Sequence, residues 1–456
     1  MSDYDRNKYY NKKKFPPREP VNFGSRFFNN KTTPHKETEK SETKPKSIKK
    51  TTILAREHHA EDRAVSPKCT VKEGDPSPSI TIATPAHAVE SAPQHRIKEM
   101  TRCAKLLDEG VICPENIQDY LQENDDYLVV GIVGTQGVGK STILNLLAHN
   151  NITDKLKKSI FKYSENSKQN MDNIKIFSDN YVNQKVSDGD TKPKVDDVIF
   201  KPQSLSDLSN NCNGTNGIDF FVTHNRIMFL DCQPFTSVAV LDEFIRSEAK
   251  LTAMVSEFTP LENSGEIQGL QMTAFLMSIC HVLILVQDWF FDSNVLRFIQ
   301  SAEMLKPTIS NPEDELVDHF PHLILIHNRA QMEDFSPKKF KQMQQIYKTI
   351  FNKTKMHIES GMGIGSGGII NSFSQEICGE PINLFLIPEY DETTENLYRG
   401  YPPLEELVKK LRSKILGATK YPLSNTSEKH WLIYCSKVWD HVKKSNFFVE
   451  YNKLMP

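Results

Sequence analysis

One segment of the sequence has the residue types and the spacing of a phosphate-binding loop. Residues 134–141 read Gly-Thr-Gln-Gly-Val-Gly-Lys-Ser and match G-x-x-x-x-G-K-[ST] in full. The glycines allow the backbone to curl so that successive N–H groups point at phosphate oxygens, and the N-terminus of the following helix adds partial positive charge. The lysine neutralises the terminal phosphates and the serine hydroxyl ligates Mg²⁺. The residues predicted to bind the phosphates are Gly134, Gln136, Gly137, Val138, Gly139, Lys140, Ser141 and Thr142.

Two downstream residues are predicted to complete a magnesium site with Ser141. Asp231 follows the apolar run 227–230, and a G domain places a carboxylate of the Mg²⁺ shell at the end of such a strand. Thr215 precedes the run 218–223, which is where a switch threonine senses the last phosphate. Alternatives stay open for both residues, because Asp231 also fits a capping carboxylate and threonines are common in polar loops.

The segment after Asp231 departs from that of a working GTPase. A G domain usually continues D-x-x-G, and the amide of its glycine contacts the γ-phosphate, whereas this chain reads Asp231-Cys-Gln-Pro234. Proline has no N–H to donate, so that contact cannot form. Phe235 stands where a glutamine usually orients the attacking water. The sequence therefore predicts nucleotide binding without hydrolysis, and no catalytic residue is assigned.

The base-recognition segment is altered as well. Guanine selectivity in G domains rests on [NT]-K-x-D after a later strand, and here the run 323–326 and His327 are followed by Asn328-Arg-Ala-Gln331. Asn328 and Arg329 are predicted to contact the nucleotide. Gln331 is neutral and both donates and accepts hydrogen bonds, so it should discriminate poorly between guanine and adenine. The expected cofactor is a purine nucleotide (GTP, GDP or ATP), with or without Mg²⁺, and affinities for ATP and GTP are expected to agree within about tenfold.

The hydrophobic pattern predicts the elements that position these residues. Continuous apolar runs fit strands buried on both faces of a parallel sheet, and helical stretches separate them. The predicted fold is α/β, a P-loop G-domain-like and mainly parallel sheet with helices on both faces and an antiparallel hairpin at its edge. Strands are predicted at 127–133, 218–223, 227–230, 282–286, 323–326 and 382–387. Helices are predicted at 97–107, 114–122, 238–249, 270–280, 294–305, 337–351 and 402–416, and from Lys140 and Ser427.

Composition divides the 456 residues into four predicted regions. They are a disordered basic tail (1–95), an N-terminal helical lead-in (96–126), the P-loop domain (127–400) with a polar insert (150–213), and C-terminal helices (401–456). The tail is assigned because its first fifty residues hold 14 Lys and Arg against 6 Asp and Glu and few clustered aliphatics. In the last helix Trp431, Cys435, Val438 and Val442 lie on one apolar stripe with Leu432 and Trp439 beside it, and this surface packs either on the same domain or on a partner.

The eight cysteines indicate neither a metal site nor a disulfide framework. No two of them have C-x-x-C spacing, and they are scattered along the whole chain. We therefore expect reduced thiols in an intracellular, cytoplasmic protein.

Two further segments resemble sites that their context excludes. The apolar stretch 272–291 contains His281, Gln287 and Asp288, which are costly in hydrocarbon, so a helix followed by a buried strand is expected instead of a membrane span. The glycine run 361–368 contains G-x-G-x-x-G, but no buried strand precedes it. A flexible loop is expected there.

Several segments together closely resemble one family of nonsense-mediated mRNA decay factors, that of the ninth SMG factor. Besides the P-loop and its strand they are Gly-Ile-Asp-Phe-Phe-Val-Thr at 217–223, Asp-Cys-Gln-Pro at 231–234, Cys-His-Val-Leu-Ile-Leu-Val-Gln-Asp-Trp at 280–289 and Ala-Glu-Met-Leu-Lys-Pro at 302–307. The resemblance covers residues 100–456 and extends through the Trp431 and Trp439 region. The segments at 231–234 and 280–289 are more specific than the P-loop alone.

The resemblance implies a function that the residues alone do not. Members of this family pair their G-like domain with that of the eighth SMG factor, and the pair binds and restrains the SMG-one kinase, a phosphatidylinositol-3-kinase-like protein kinase that acts on the helicase Upf-one. A non-catalytic, nucleotide-binding scaffold subunit is therefore expected, without membrane contact. Two alternatives stay open, an active dynamin-like GTPase and an RNA-binding adaptor that acts through the basic tail.

Overall fold

The apolar runs form the centre of an eight-stranded sheet in the computed structural model. The strands are β1 Ala104–Asp108, β2 Val111–Ile112, β3 Leu128–Val133, β4 Ile218–Val222, β5 Ile227–Cys232, β6 Val282–Gln287, β7 His322–Ala330 and β8 Leu384–Pro388. Their order in the sheet is β2-β1-β4-β5-β3-β6-β7-β8. β5, β3, β6, β7 and β8 are mutually parallel, whereas the pairs β2–β1, β1–β4 and β4–β5 are antiparallel.

The structure describes residues 98–163, 196–246, 261–308, 318–390, 399–420 and 427–455. All of them belong to one compact unit, Val89–Pro456. The predicted disordered basic tail, with the RNA contact considered for it, lies outside these residues. Residues 164–195 of the polar insert also lie outside them.

The predicted α/β class and the six predicted strands are confirmed, but the position of the hairpin is not. β4 and β5 form the expected antiparallel pair, with Phe220 opposite Leu230. The hairpin does not form the edge of the sheet, because β1 pairs with β4 and β2 extends the sheet further.

The predicted helical lead-in is wrong. Ala104–Asp108 is a strand that overlaps the end of the predicted helix 97–107. The predicted helix 114–122 is two separate 3-10 turns, Pro114–Asn116 and Gln118–Tyr120. Leu106 and Leu107 are both buried. Consecutive buried side chains on a strand face opposite sides of the sheet, and pairing with β4 outweighs a weak local helical pattern.

Helices pack in two groups on the two faces of the sheet. They are α1 Lys140–Ala148, α2 Asp154–Phe161, α3 Leu205–Ser209, α4 Val238–Arg246, α5 Leu261–Ile279, α6 Ser293–Leu305, α7 Pro337–Ile350, α8 Gln375–Cys378, α9 Leu404–Leu416, α10 Glu428–Lys444 and α11 Asn446–Leu454. One group centres on α1, which contacts β3, β5, α2 and α9. The other centres on α5, which contacts β3, α4, α6, α10 and α11.

The two segments set aside on sequence grounds have structural roles. The stretch 272–291 includes the end of α5 and all of β6, and no helix in the described ranges is long and apolar enough to cross a membrane. The glycine run 361–368 packs closely against the start of β8 rather than forming an open loop. The Ile364 amide donates to the Leu384 carbonyl at 2.8 Å, and a Cβ at Gly363 would lie 1.9 Å from the Ile382 carbonyl oxygen.

The aromatic stripe of α10 packs on its own domain. Trp431 and Trp439 are 0% and 3% exposed. Both indoles donate to backbone carbonyls, Trp431 to Ile279 at the end of α5 at 3.1 Å and Trp439 to Gly110 between β1 and β2 at 2.8 Å. Of the two roles considered for the stripe, packing on the same domain is therefore confirmed.

A buried carboxylate joins α10 to two other parts of the chain. Glu428 is fully buried and accepts from the Arg226 guanidinium in the β4–β5 turn, with 2.7 Å between Nε and Oε1. It also accepts from the Gln122 amide at 2.8 Å and from the Asn124 side chain at 3.2 Å. The Arg226 guanidinium donates in turn to the Tyr120 carbonyl at 3.0 Å.

Removal of this carboxylate is expected to destabilise the fold. Glu428→Gln should lower the free energy of unfolding by about 3 kcal/mol, because it leaves the Arg226 charge poorly compensated in a buried site. Glu450→Gln is the matched control: Glu450 pairs with Lys453, both are more than half exposed, and the change should stay within about 0.5 kcal/mol. Urea unfolding measures both. Equal stability of the two variants would contradict the assigned role of Glu428.

Candidate nucleotide-binding site

A cavity of about 400 Å³ lies at the carboxyl ends of the parallel strands. This edge is where ligands bind in α/β sheets of this type. Its lining includes most of the P-loop, Thr215, Pro234, Asn328 and Arg329, together with the segment that follows β8. The structure thus brings together residues that are far apart in the chain.

The P-loop needs glycine because its backbone adopts left-handed angles and passes close to a side chain of β7. Gly139, at the N-cap of α1, has φ 95° and Gly137 has φ 78°, both in the left-handed region. A Cβ at Gly139 would lie 2.5 Å from Nδ2 of Asn328. Another residue at 139 would therefore strain the backbone and displace the Asn328 side chain.

Lys140 is buried and directed at the concave side of the loop. Its Nζ donates to the carbonyls of Gly134 and Thr135 at 3.1 and 2.9 Å. Burial lowers the pKa of Lys140 to about 8, although the nearby Asp231 carboxylate opposes the shift. The ammonium is therefore poised for an anion that would replace the lost hydration.

The three residues predicted to hold Mg²⁺ meet at one point. Oδ2 of Asp231 accepts from the hydroxyls of Ser141 at 2.6 Å and Thr215 at 3.0 Å. Oδ1 of Asp231 is buried without a hydrogen-bond partner in the described part of the chain. Burial raises the pKa of Asp231 to about 6 against the opposing effects of Ser141 and Lys140.

This donor set fits Mg²⁺ bound together with phosphates. It offers hard oxygen ligands, and one buried carboxylate oxygen has no other partner. No group of three or more His, Cys, Asp or Glu side chains suited to a metal is found among the described residues. One carboxylate with two hydroxyls matches the usual Mg²⁺ site, which takes its remaining ligands from phosphates and water.

The segment after Asp231 is fixed by its own side chains. Gln233 is buried; its Oε1 accepts from the Gly217 amide at 2.8 Å and its Nε2 donates to Gln268 at 3.1 Å. Phe235 points into the core, where its ring stacks on Phe298 with 4.3 Å between centroids. Pro234 is left as the residue of this segment that lines the cavity. Sequence reasoning identified Pro234 but missed Gln233, whose burial the pattern does not reveal.

Asn328 and Arg329 hold the P-loop from β7. Asn328 Nδ2 donates to the Val138 carbonyl at 2.8 Å, and Arg329 Nη2 donates to the Gly137 carbonyl at 3.1 Å. Arg329 has φ 52° and also pairs with Asp288 at 3.2 Å. Both side chains line the cavity.

Gln331 does not line the cavity, contrary to its predicted position at the base. Its Nε2 donates to the Arg329 carbonyl at 3.3 Å and to Oε2 of Glu389 at 3.2 Å. Glu389 and Tyr390 line the cavity in its place, together with Phe161 at the end of α2. Sequence reasoning missed these three, although the position of 389 and 390 directly after the last parallel strand is a signal for ligand contact.

Comparison with known proteins places the chain close to one group. The "Nonsense-mediated mRNA decay factor SMG9" of Xenopus tropicalis is 32% identical over 386 residues, which cover 78% of this chain and 68% of that protein. The protein of the same name from Salmo salar is 30% identical, with the same two coverages. "Protein SMG9" of Drosophila melanogaster is 25% identical over 76% of this chain and 59% of that protein. No protein-family model matches the chain.

Among solved structures, a GTPase-like domain shows a distant similarity to the chain. The S. cerevisiae Ski7 GTPase-like domain, bound to GDP and inorganic phosphate, is 15% identical with a TM-score of 0.25, over 61% of this chain and 46% of that one. A TM-score of this size does not establish a common fold. The fold assignment therefore rests on the strand order and helix packing of the chain itself.

The buried carboxylate makes stability depend on pH in the ligand-free protein. The pKa of Asp231 is higher in the folded than in the unfolded chain, so its contribution is present below about pH 4 and is lost as pH rises through about 6. Relative to Asp231→Asn, the wild type should lose about 2 kcal/mol of unfolding free energy between pH 4 and pH 7. Lys140, with a pKa of about 8, stays protonated over this range. Urea unfolding of both proteins measures the difference, and parallel pH profiles would contradict it.

Proposed function

The chain belongs to the SMG9 family of nonsense-mediated mRNA decay factors, and from this premise we propose that it is a non-catalytic, nucleotide-binding regulatory subunit of a protein kinase complex. The proposed cofactor is a purine nucleotide with Mg²⁺. The proposed partners are the eighth SMG factor and the SMG-one kinase, and the proposed location is the cytoplasm. The observation that carries the proposal is a complete P-loop beside a segment that cannot act as a catalytic switch.

Nucleotide binding is supported by two buried charged groups, Lys140 and Asp231, and by the carboxylate oxygen that has no hydrogen-bond partner in the described structure. Lys140 is buried beside the loop, and among the described residues its ammonium donates only to backbone carbonyls. Oδ1 of Asp231 has no hydrogen-bond partner among the described residues. Phosphate oxygens would accept from the Lys140 ammonium, and Mg²⁺ would bind the carboxylate oxygen that has no hydrogen-bond partner.

The absence of hydrolysis is supported by the fixed segment 233–235. Pro234 offers no N–H to the γ-phosphate, and the nearby Gln233 side chain is committed to Gly217 and Gln268. Phe235 is buried against Phe298 and does not reach the cavity. Orienting a water would require Gln233 to break two hydrogen bonds and leave a buried position.

A scaffold role is supported by an apolar surface joined to the P-loop. Exposed apolar side chains lie on α3 and α4, the helices on either side of the hairpin, and they are Leu205, Leu208, Val238 and Ile245. The Ser237 hydroxyl lies 3.2 Å from Oε1 of Gln136 in the P-loop and 2.8 Å from Oδ1 of Asn213. These exposed side chains are the proposed partner contact, and Leu205 and Leu208 also line the cavity.

The second candidate function is an active dynamin-like GTPase. It is favoured by the intact P-loop and by the meeting of Ser141, Thr215 and Asp231, which resembles a working Mg²⁺ site. In that case the missing catalytic groups would come from a partner or a second copy.

Single-turnover kinetics separate the two candidates. With Mg²⁺ and either ATP or GTP, phosphate release by the wild type is expected to equal that of Lys140→Ala, because residues 233–235 present no group to the cavity that could orient water. The measurement should be made with the chain alone and again in the presence of its partners. Appreciable release that depends on Lys140 would favour the GTPase.

Affinity purification tests the assembly. The full chain, recovered from cells that carry the decay pathway, is expected to bring down the eighth SMG factor and the SMG-one kinase. Lys140→Ala should recover less of both, since loss of the nucleotide removes a stabilising ligand of the partner-binding fold. Lys453→Ala alters an exposed lysine of α11 and is the matched control. Recovery of neither protein with the wild type would refute the proposed assembly.

A further inference from the structure

The cavity extends beyond the P-loop to a wall made of two aromatic rings. Phe161 is the last residue of α2, and Tyr390 follows β8 by two positions. Their rings stack with 4.2 Å between centroids and 12° between planes. Both side chains line the same cavity as Lys140 and Ser141.

The strand order sets how far this wall lies from the phosphate site. The P-loop follows β3 and Tyr390 follows β8, and β6 and β7 lie between them in the sheet. Three inter-strand steps amount to about 14 Å. A ligand that reaches from Lys140 to the wall is therefore as long as a nucleotide and not a phosphate alone. Arg329, at the end of β7, lines the cavity between the two ends.

Neighbouring side chains hold the wall in place. Ile160 is buried beside Phe161, and the ammonium of Lys157 lies 5.9 Å from the centroid of the Tyr390 ring. Lys157 is itself buried and pairs with Glu405 on α9. The wall thus joins α2, α9 and the end of β8.

We propose that Phe161 and Tyr390 form the base-binding subsite, on which the heterocyclic base of the nucleotide stacks. The inference rests on the proposed nucleotide binding and adds the residues that bind its base. Every base has a π face, so stacking tolerates different bases. Glu389 precedes Tyr390 in the chain and lines the cavity, and it already accepts a hydrogen bond from Gln331. ATP and GTP are therefore expected to bind with affinities within about tenfold of each other.

Calorimetry with three ligands tests the subsite in the full chain. The ligands are ATP, GTP and inorganic triphosphate, each with Mg²⁺. Phe161→Leu and Tyr390→Leu keep an apolar side chain but remove the aromatic face, so each should weaken ATP and GTP binding by about tenfold. Binding of inorganic triphosphate should not change. Phe161→Tyr restores a ring and should bind like the wild type, and Lys140→Ala should weaken all three ligands.

The outcomes separate this inference from the proposed function. If both leucine variants bind ATP and GTP within about twofold of the wild type, the subsite is refuted while nucleotide binding stands. If they lose triphosphate affinity as well, the rings only support the fold and the subsite is again refuted. If the wild type binds triphosphate but neither nucleotide, the subsite and the nucleotide function fail together. Thermal unfolding of each variant confirms that the protein tested is folded.

Discussion

The site depends on two opposite charges that the fold buries a short distance apart. Lys140 is 7% exposed and Asp231 is 0% exposed, and burial shifts their pKa values in opposite directions, to about 8 and about 6. Both groups are nevertheless charged at neutral pH. They attract each other, but the lysine donates only to backbone carbonyls and one carboxylate oxygen has no hydrogen-bond partner in the described structure. A ligand that brings phosphate to one and a divalent cation to the other would therefore add its binding free energy to that of folding.

Side chains of β7 hold the P-loop in one conformation. Asn328 and Arg329 reach from β7 to the carbonyls of Val138 and Gly137, and the space above Gly139 is filled by the Asn328 amide. A catalytic switch needs the segment after Asp231 to move between two arrangements. Here that segment is anchored through buried Gln233 on one side and the Phe235–Phe298 stack on the other. The geometry therefore favours a segment held in one arrangement over one that moves between two.

Sequence patterns were sufficient where the physics is local or strongly periodic. The P-loop, the long apolar strands and the meeting of Ser141 with Asp231 follow from residue order, because parallel strands end at one edge of the sheet. β1 could not be predicted, since its strand conformation depends on a partner more than 100 positions away, with Ala104 opposite Phe220. The position of Gln331 could not be predicted for a similar reason. Gln331 has the spacing of a base contact, yet Glu389 captures its amide, a contact between two loops that order alone does not reveal.

The proposed retention of a nucleotide without turnover would have a structural reason in the connections of the site. Thr215 comes just before β4 and donates to Asp231, the penultimate residue of β5. These two hydrogen-bonded residues therefore lie between α3 and α4 in the chain. Ser237 adds a second link from Gln136 to the start of α4. A nucleotide that tightens these contacts would order the apolar residues of both helices without any need for a chemical step. Hydrolysis would loosen the contacts that order α3 and α4. A complete P-loop beside the fixed segment 233–235 is therefore consistent with the proposed scaffold role.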